Sequence, residues 1–411
     1  MSTESSDSSK DAQPAAVPPP PAPRYSLGEL TLYFLKLGSL GFGGPVALVG
    51  YMHRDLVEER AWITEDDYKE GLALAQLAPG PLAAQLAIYL GYVHYGVLGA
   101  TVAGVAFVVP SFLMVVALGW AYVEYGGLSW MQAVFFGVGP CVIGIIAHSA
   151  YQMTRKSIGR DWLLWVVYLI SAATTIVTES EIVWLFLGAG ILVWLVRQPP
   201  KLFGRSPMML ALALFAWQDL EQPAQPLGEK LWEILVFFTK AGAFVFGSGL
   251  AIVPFLYGGV VKEYGWLNDQ QFLDAVAVAM ITPGPVVITV GFIGYLIAGF
   301  WGACAAALGT FLPCYLFTII PAPYFKKYGH RPGIKAFVDG ITAAAVGAIA
   351  GAVVVLGRRT ILDESWQPDL TKCVLFACTL VVLSSPRKIP EPIVVLVAAI
   401  LGLILFPLVR N

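Results

Sequence analysis

Apolar residues occur along this chain in long runs that are separated by short polar stretches. After a polar start, a first set of apolar spans lies at roughly residues 28–50, 67–95, 97–121, 131–152, 162–178, 182–197 and 206–219. A second set lies at roughly 231–257, 269–298, 300–324, 334–357, 370–385 and 390–409. A membrane-spanning helix needs about 20 predominantly apolar residues, so the pattern predicts an all-α polytopic membrane protein with about 13 transmembrane segments.

The second span of each set is too long for one straight crossing and contains Pro-Gly-Pro near its middle, at residues 79–81 and 283–285. Proline lacks a backbone N–H and clashes with the preceding helical turn, and glycine adds backbone freedom. In lipid, such a break is tolerated only where protein or a water-filled cavity satisfies the freed backbone groups. Each long span is therefore predicted to be two half-helices, which begin after the N-cap residues Thr64 and Asn268.

The two sets of spans are copies of one unit. Trp62 and Trp266 are 204 positions apart, as are the two Pro-Gly-Pro triplets, and beyond the triplets the offset is 203, as between Pro110 and Pro313. A match with a single one-residue gap over about 125 residues indicates an internal repeat. The predicted organisation is a disordered tail at 1–25, a first transporter repeat at 26–160, connecting transmembrane segments at 161–230, a second repeat at 231–363 and a two-span tail at 364–411.

Basic residues in the loops indicate how the two halves lie in the membrane. The loop after the fourth span carries Arg155, Lys156 and Arg160, which places it in the cytoplasm by the positive-inside rule. The preceding loop has no basic residue, whereas its partner in the second half is the basic stretch 326–331. Equivalent loops that prefer opposite sides are typical of an inverted-topology repeat. Arg359, together with the arginine before it, departs from this assignment, because the same topology places it outside.

Composition supports the membrane class and excludes others. The chain is 57% hydrophobic and 13% charged, with a mean hydropathy of +0.72, whereas soluble domains carry about 25% charged residues. The net charge of −2 gives no field that would attract nucleic acid. The sequence contains no Walker lysine loop, HExxH or nucleophile elbow, so neither ATP-driven transport nor covalent catalysis is expected. The five cysteines form no CxxC pair, and no metal or cofactor is expected.

Two lysines lie inside apolar spans at equivalent positions of the two copies. Lys36 and Lys240 are each about ten residues from the start of their span, or about 15 Å at 1.5 Å per residue. A charge at that depth is costly unless it faces a cavity or a partner. The alternative is that each side chain snorkels to the headgroups. In an inverted pair, the two ammonium groups would approach one central anion from opposite faces.

Glycine-rich turns at the breaks add further candidate groups. A helix that restarts after such a turn presents unpaired N–H groups and a partial positive charge, which together bind anions. The alternative is that the glycines only permit close helix packing. The candidate substrate-binding residues are the two lysines, the turns and the small polar residues beside them: Lys36, Ser39, Gly43, Gly44, Pro45, Gln76, Pro79, Gly80, Pro81, Gln85, Lys240, Gly247, Ser248, Gly249, Thr282, Pro283, Gly284 and Pro285.

These motifs resemble the chromate ion transporter family. The resemblance covers nearly all of residues 28–410 and rests on the Phe-Gly-Gly-Pro turn at 42–45, the Pro-Gly-Pro triplets with their flanking residues, and the Gly-Tyr pairs at 91–92 and 294–295. It implies the long, two-domain form of the family, and export of chromate across the bacterial cytoplasmic (inner) membrane that gives chromate resistance. Sulfate is the related oxyanion. The second copy has Ser-Gly at 248–249 where the first has Gly-Pro, so the two halves are expected to contribute unequally.

The residues by themselves indicate a secondary transporter of an anion, and only the resemblance indicates chromate. A transporter of sulfate or another anion, or an anion channel, stays open as an alternative. An integral membrane enzyme would need a catalytic constellation that the sequence lacks. A chromate or sulfate oxyanion and membrane lipids are the expected partners, and nucleic acid is not. A coupling proton, the direction of flux and a homodimer stay open.

Overall fold

A computed structural model of the protein describes residues 25–42, 44–125, 129–179, 182–198, 227–243, 252–328, 332–361, 369–385, 389 and 391–410. All the regular elements in these ranges are helices, as the sequence predicts for an all-α membrane protein. The first half contains α1 Leu27–Leu40, α2 Gly44–His53, α3 Glu65–Leu77, α4 Leu82–Tyr125, α5 Ser129–Ser157, α6 Trp162–Thr178 and α7 Val183–Arg197. The second half contains α8 Leu227–Ala243, α9 Ile252–Leu256, α10 Asp269–Ile281, α11 Thr289–Ile319, α12 Ala322–Tyr328, α13 Pro332–Ile361, α14 Leu370–Ser384 and α15 Glu391–Arg410.

Side-chain caps begin the helices that precede the two breaks. The Thr64 hydroxyl accepts from the backbone N–H of Asp67 at 3.1 Å, and the Asn268 carbonyl accepts from that of Gln271 at 2.8 Å. Such caps satisfy donors that the first helical turn leaves unpaired. Both predicted N-caps are therefore confirmed.

The long helix α4 reverses its direction at Gly96, which has φ 57°. A Cβ added to Gly104 would lie 2.9 Å from Cγ1 of Ile88, although 16 residues of straight helix would separate these positions by about 24 Å. The two arms of α4 therefore lie side by side as a helical hairpin. The helix α11 reverses in the same way at Gly299, which has φ 61°.

Five of the described helical segments are long and apolar enough to cross a membrane, which makes this a multi-pass membrane protein: Leu82–Tyr125, Gln132–Ser157, Val286–Phe325, Pro332–Ile361 and Glu391–Leu408. Three shorter apolar helices accompany them: Trp162–Thr178, Trp184–Arg197 and Leu370–Ser384. The span predicted at 206–219 lies outside the described residues. The number of 13 spans stays a prediction.

The same backbone features occur in both halves at the spacing of the sequence repeat. A π-helical turn follows α2 at Arg54–Glu59 and follows α9 at Tyr257–Glu263. A positive φ occurs at Ala61 (49°) and 204 positions later at Gly265 (57°). The glycines of the two breaks and of the two hairpin reversals form further pairs of this kind. The backbone of the second half therefore follows that of the first through these turns.

Helix packing connects the two halves reciprocally. The helix α1 packs on α4 and α8 packs on α11, while α4 and α11 pack on each other. The pair α6 and α7 lies mainly against α13 of the second half, and the pair α14 and α15 lies against α5 of the first half. The last two described helices of each half therefore pack on the other half.

Candidate functional site

The two Pro-Gly-Pro triplets break the chain between helices, as the sequence predicts. In the first half α3 ends at Leu77 and α4 begins at Leu82, and Gly80 between them has φ 142°. In the second half α10 ends at Ile281, and Gly284 has φ 95° before a 3-10 turn leads into α11. Residues with a side chain rarely adopt such backbone angles, so both breaks require glycine.

Each break lies against the other half of the molecule. A Cβ on Gly284 would lie 2.5 Å from the hydroxyl of Ser111 on α4, and a Cβ on Gly80 would lie 3.2 Å from the sulfur of Cys314 on α11. Ser111 and Cys314 are themselves 203 positions apart and follow Pro110 and Pro313. The N–H of Gly284 also donates to the carbonyl of Gly41 at 3.0 Å. Each break therefore packs on a helix of the other half, and the second break also bonds to the first glycine turn.

Gln85 places a buried amide beside the first break. Its side chain is fully buried, and its Nε2 donates to the carbonyl of Pro79 at 2.7 Å. Its Oε1 has no hydrogen-bond partner among the described residues. A buried acceptor without a partner costs about 1–3 kcal/mol, so a donor on a ligand or a water molecule would stabilise this position. In the second half, the hydroxyl of Thr289 after the break donates to the carbonyl of Val286 at 2.9 Å.

The turn at the start of α2 lies near a carboxylate that the sequence reasoning missed. The helix begins at Gly44, which has φ 72°, and Pro45 follows as its second residue. A Cβ on Gly44 would lie 3.8 Å from Oε2 of Glu391, the first residue of α15. An acidic residue between two prolines at the start of the last apolar span was the signal that could have found it.

The two candidate lysines lie on exposed helix faces. Lys36 is exposed on α1, on the face of Leu32 and Leu40 and opposite the buried Phe34. Lys240 is exposed at the same position of α8. The ammonium group of neither residue forms an ion pair with another described residue. Their role toward an anion stays a prediction, with snorkelling as the alternative.

The remaining polar candidates beside the breaks are largely bound to backbone. The hydroxyl of Ser39 donates to the carbonyl of Leu35 at 2.7 Å, and that of Thr282 donates to Val278 at 2.6 Å. Gln76 is exposed near the end of α3. Pro79 is partly exposed, whereas Pro81, Pro283 and Pro285 are buried beside the break glycines. The candidates Gly43, Gly247, Ser248 and Gly249 lie outside the described residues.

An apolar and a polar cavity share a wall, and the apolar one lies beside the second break. An apolar cavity of about 450 Å³ extends to Phe42 and Ile281, the neighbours of the glycine turn and of the second break. A polar cavity of about 590 Å³ is lined by charged, amide and hydroxyl side chains, including Asp274. Tyr122 and Phe135 line both cavities. The apolar cavity offers an oxyanion almost no donors, so the breaks themselves remain the candidate binding groups.

Comparison with known proteins assigns the chain to a family. The chromate transporter family matches residues 28–194 and 232–403. The chain belongs to the chromate transporter family. It is 64% identical to the chromate transport protein of Cupriavidus metallidurans over 394 residues, which are 95% of this chain and 96% of that one. It is also 64% identical to the probable chromate transport protein of Synechococcus elongatus over 389 residues, 93% of this chain and 96% of the other.

A more distant relative also matches along nearly all of its length. The chromate transport protein of Pseudomonas aeruginosa is 33% identical over 413 residues, which cover 97% of this chain and 96% of that protein. No solved structure matches the chain. The family resemblance read from the glycine and proline motifs is therefore confirmed by relatives that span the whole transporter.

A cluster of charges holds together four segments of the transporter at one end of the polar cavity. Glu179, directly after α6, accepts from Arg359 of α13 at 2.5 Å and from Lys262 of the second π-helical turn at 2.6 Å. Arg359 also donates to Asp269 at 3.1 Å, and Tyr257 donates to the other oxygen of that carboxylate at 2.6 Å. Glu179 and Asp269 therefore offset the positive charge of Arg359, which the predicted topology places on the outer side of the membrane against the positive-inside rule.

Glu179→Gln is expected to lower the free energy of unfolding at neutral pH by about 1 kcal/mol, the range of part-exposed ion pairs. The hydrogen bond from Lys262 and the Arg359 guanidinium hold the pKa of Glu179 below its usual range, against the partial burial that raises it. The stabilisation is therefore complete above the unfolded pKa of about 4.3 and is lost as the pH falls through the folded value.

Thermal unfolding of the detergent-purified transporter at pH 7 and at about pH 3 measures this difference, which should be full at neutral pH and smaller in acid. Glu59→Gln is the matched control, because Glu59 is 62% exposed and its nearest ion-pair contact is 3.5 Å from Arg54. An equal loss of stability at both pH values would contradict the charge role of Glu179.

Proposed function

We propose that this protein is a secondary transporter that exports chromate from the cytoplasm across the bacterial cytoplasmic (inner) membrane and so confers chromate resistance. Its membership of the chromate transporter family and the names of its full-length relatives support chromate as the substrate. Chromate and sulfate are both tetrahedral dianions of similar size. Donors arranged for one therefore fit the other, and sulfate is expected to compete.

The observation that carries the proposal is that both chain breaks lie at the interface between the halves. The N–H of Gly284 donates to Gly41 of the first half, and Gly80 lies against Cys314 of the second half. The helix α4 begins directly after the first break, and a 3-10 turn leads from the second break into α11. The first N–H groups and the partial positive charge of a helix favour an anion. Broken helices that meet at the interface of two repeats are the arrangement in which many secondary transporters bind their substrates.

An inverted repeat is the second element of the proposal. It is supported by the recurrence of the π-helical turns and of the positive-φ residues, and by the reciprocal packing of helix pairs. The repeats proposed at 26–160 and 231–363 are followed by α6–α7 and α14–α15, and the family matches extend to residues 194 and 403. We therefore propose that each repeat also includes the pair of helices that follows it and packs on the other half.

An anion channel is the second candidate function. Gly80 and Gly284 are buried together with the prolines that follow them. A channel in which these breaks lined the conducting path would expose them to water, whereas a transporter that alternates between two closed orientations buries its site in transit. Burial of the breaks therefore favours the transporter.

Labelled chromate flux in proteoliposomes tests the proposal, with and without an imposed proton gradient and with excess sulfate. Accumulation against the chromate gradient that sulfate blocks is the expected result. Flux that runs only downhill would favour a channel or uniporter. Absence of chromate movement by the inserted protein would overturn chromate as the substrate.

Lys36→Gln is expected to reduce chromate transport by about tenfold, since loss of one favourable charge contact of about 1.4 kcal/mol has that effect on an equilibrium constant. Membrane insertion should be unchanged, and Lys240→Gln should have an effect in the same direction. Lys69→Gln is the matched control, because Lys69 is a 66% exposed lysine paired with Glu65 at 3.2 Å. Normal flux in both variants would show that the two lysines only snorkel to the headgroups.

A further inference from the structure

A buried carboxylate joins the two halves of the transporter. Asp274 of α10 is 3% exposed and lies one helical turn after Gln270. The hydroxyl of Tyr122, on α4 of the first half, donates to Oδ2 of Asp274 at 2.7 Å, and the Gln270 amide donates to Oδ1 at 2.7 Å. No cation pairs with Asp274 among the described residues. An ionisable side chain buried in a membrane protein is expensive to keep and is a functional candidate by default.

Asp274 has a polar path on one side. It lines the cavity of about 590 Å³, which is large enough for several water molecules. The hydroxyl of Thr360 faces the same cavity, is 7% exposed and has no hydrogen-bond partner among the described residues. An unpartnered buried hydroxyl in a polar cavity is a position where water binds. Protons can therefore reach the Asp274 carboxylate through this cavity.

The other charged groups at the cavity are engaged elsewhere. Arg359 and Asp269 bind each other and belong to the charge cluster with Glu179. Lys372 of α14 lies over the ring of Phe136, 5.5 Å from its centroid. The helix α5 contributes the uncharged amide of Gln132. Asp274 is thus the buried carboxyl group at this cavity that has no cationic partner among the described residues. Its charge is therefore neutralised by binding a proton.

The opposite side of Asp274 leads toward the second break. Tyr122, its hydrogen-bond donor, also lines the apolar cavity that reaches Phe42 and Ile281. The helices α11 and α15 contribute the apolar residues Phe292 and Val395 to that cavity. The Tyr122–Asp274 pair therefore lies in the wall between the polar cavity and the neighbours of the glycine turn and of the second break.

We propose that Asp274 is the proton-coupling group of the transporter, an inference that rests on the proposed function. One proton from the polar cavity binds a carboxylate oxygen of Asp274 in one orientation of the two halves and leaves it in the other. The bond to Tyr122 links this step to the arrangement of the halves. A sodium ion fits the position poorly, because both carboxylate oxygens already face donor hydrogens and a metal ion would need further oxygen lone pairs.

The test compares two assays on the full-length protein in proteoliposomes. Concentrative uptake of labelled chromate is measured under an imposed pH gradient, and chromate–chromate exchange is measured at equal pH on both sides. Asp274→Asn should keep exchange near the wild-type rate, while its accumulation ratio falls to about one, the value for uncoupled equilibration. Asp274→Glu keeps a titratable carboxylate and should still accumulate chromate.

Glu70→Gln is the matched control, because Glu70 occupies the repeat-equivalent position of α3 and forms a side-chain hydrogen bond with Tyr89 of its own half. It should accumulate chromate as the wild type does. Normal accumulation by Asp274→Asn would overturn the inference. Loss of exchange as well as accumulation in a correctly inserted Asp274→Asn would also overturn it, since the residue would then serve translocation itself.

Two further outcomes separate this inference from the proposed function. If Asp274→Asn fails to insert, Asp274→Glu decides: exchange with concentrative uptake supports the inference, and exchange without it overturns the inference. A wild-type protein that exchanges chromate but ignores the pH gradient would overturn proton coupling and leave chromate transport standing. A wild-type protein that does neither would overturn both.

Discussion

Gly284→Val is expected to reduce chromate transport by about tenfold or more, because misplacement of binding groups by about 1 Å has effects of this size. Gly284 has φ 95°, which a β-branched residue adopts only with strain. The added Cβ would also lie 2.5 Å from the hydroxyl of Ser111 and 3.3 Å from the carbonyl of Gly38. Relief of these contacts must move the break away from Gly41, whose carbonyl accepts the Gly284 N–H.

Gly265→Ala is the matched control for this prediction. Gly265 also has a positive φ, of 57°, but a Cβ there would meet nothing within 4 Å, and alanine already occupies the equivalent position 61 with φ 49°. The control should insert and transport chromate like the wild type. Flux assays and the yield of monodisperse detergent-purified protein measure both variants. Transport by Gly284→Val above half the wild-type rate would show that the second break does not position the substrate.

Gly38→Val is expected to prevent correct packing of α1 on α4, and folded protein should be nearly absent. A Cβ on Gly38 would lie 2.2 Å from the backbone carbonyl oxygen of Phe107. Backbone atoms of a packed helix cannot move aside as a flexible side chain can, and overpacking of this kind costs about 1–3 kcal/mol or more. Gly242→Val should have the same effect, because its Cβ would lie 2.3 Å from the carbonyl oxygen of Thr310.

Gly50→Ala is the control for helix packing, since a Cβ there would meet nothing within 4 Å. Alanine also favours the helix over glycine by about 1 kcal/mol, so this variant should be as stable as the wild type or slightly more stable. Thermal unfolding and the fraction of protein extracted in monodisperse form compare the three variants. Normal yield and stability of Gly38→Val would mean that α1 does not approach α4 as closely as the structure has it.

Local features of this protein followed from its sequence. The breaks at Pro-Gly-Pro and the N-caps Thr64 and Asn268 depend on a few neighbouring residues, so their chemistry predicted them. The boundary between the spans at 67–95 and 97–121 coincides with the reversal at Gly96. Long apolar runs with few charges also established the membrane class, since only helices and barrels satisfy backbone groups in lipid.

Contacts between distant segments were beyond the sequence. Nothing in the apolar pattern shows that Gly284 bonds to Gly41, or that Tyr122 donates to Asp274. Glu70 is an acidic residue 204 positions before Asp274, at the equivalent position of the first copy. This pair of acids was a signal for Asp274 in the sequence, whereas the sequence prediction considered only the paired lysines. The two lysines illustrate the opposite case. Their depth along the helix predicted that their side chains face an anion, but the direction in which a helix face points is set by the neighbouring helices.

The sequence by itself determined that the chain is a helical membrane protein whose helices break at glycine and proline, because backbone conformation and transfer to lipid depend on local chemistry. It also predicted an internal repeat. The tertiary structure decided what each break packs against, which helix pairs pack on the other half and which carboxylate is buried at the polar cavity. These features depend on packing among segments some 200 residues apart. Small residues at the contact faces let two helices approach closely, and the sequence of one span does not show which helix its partner is.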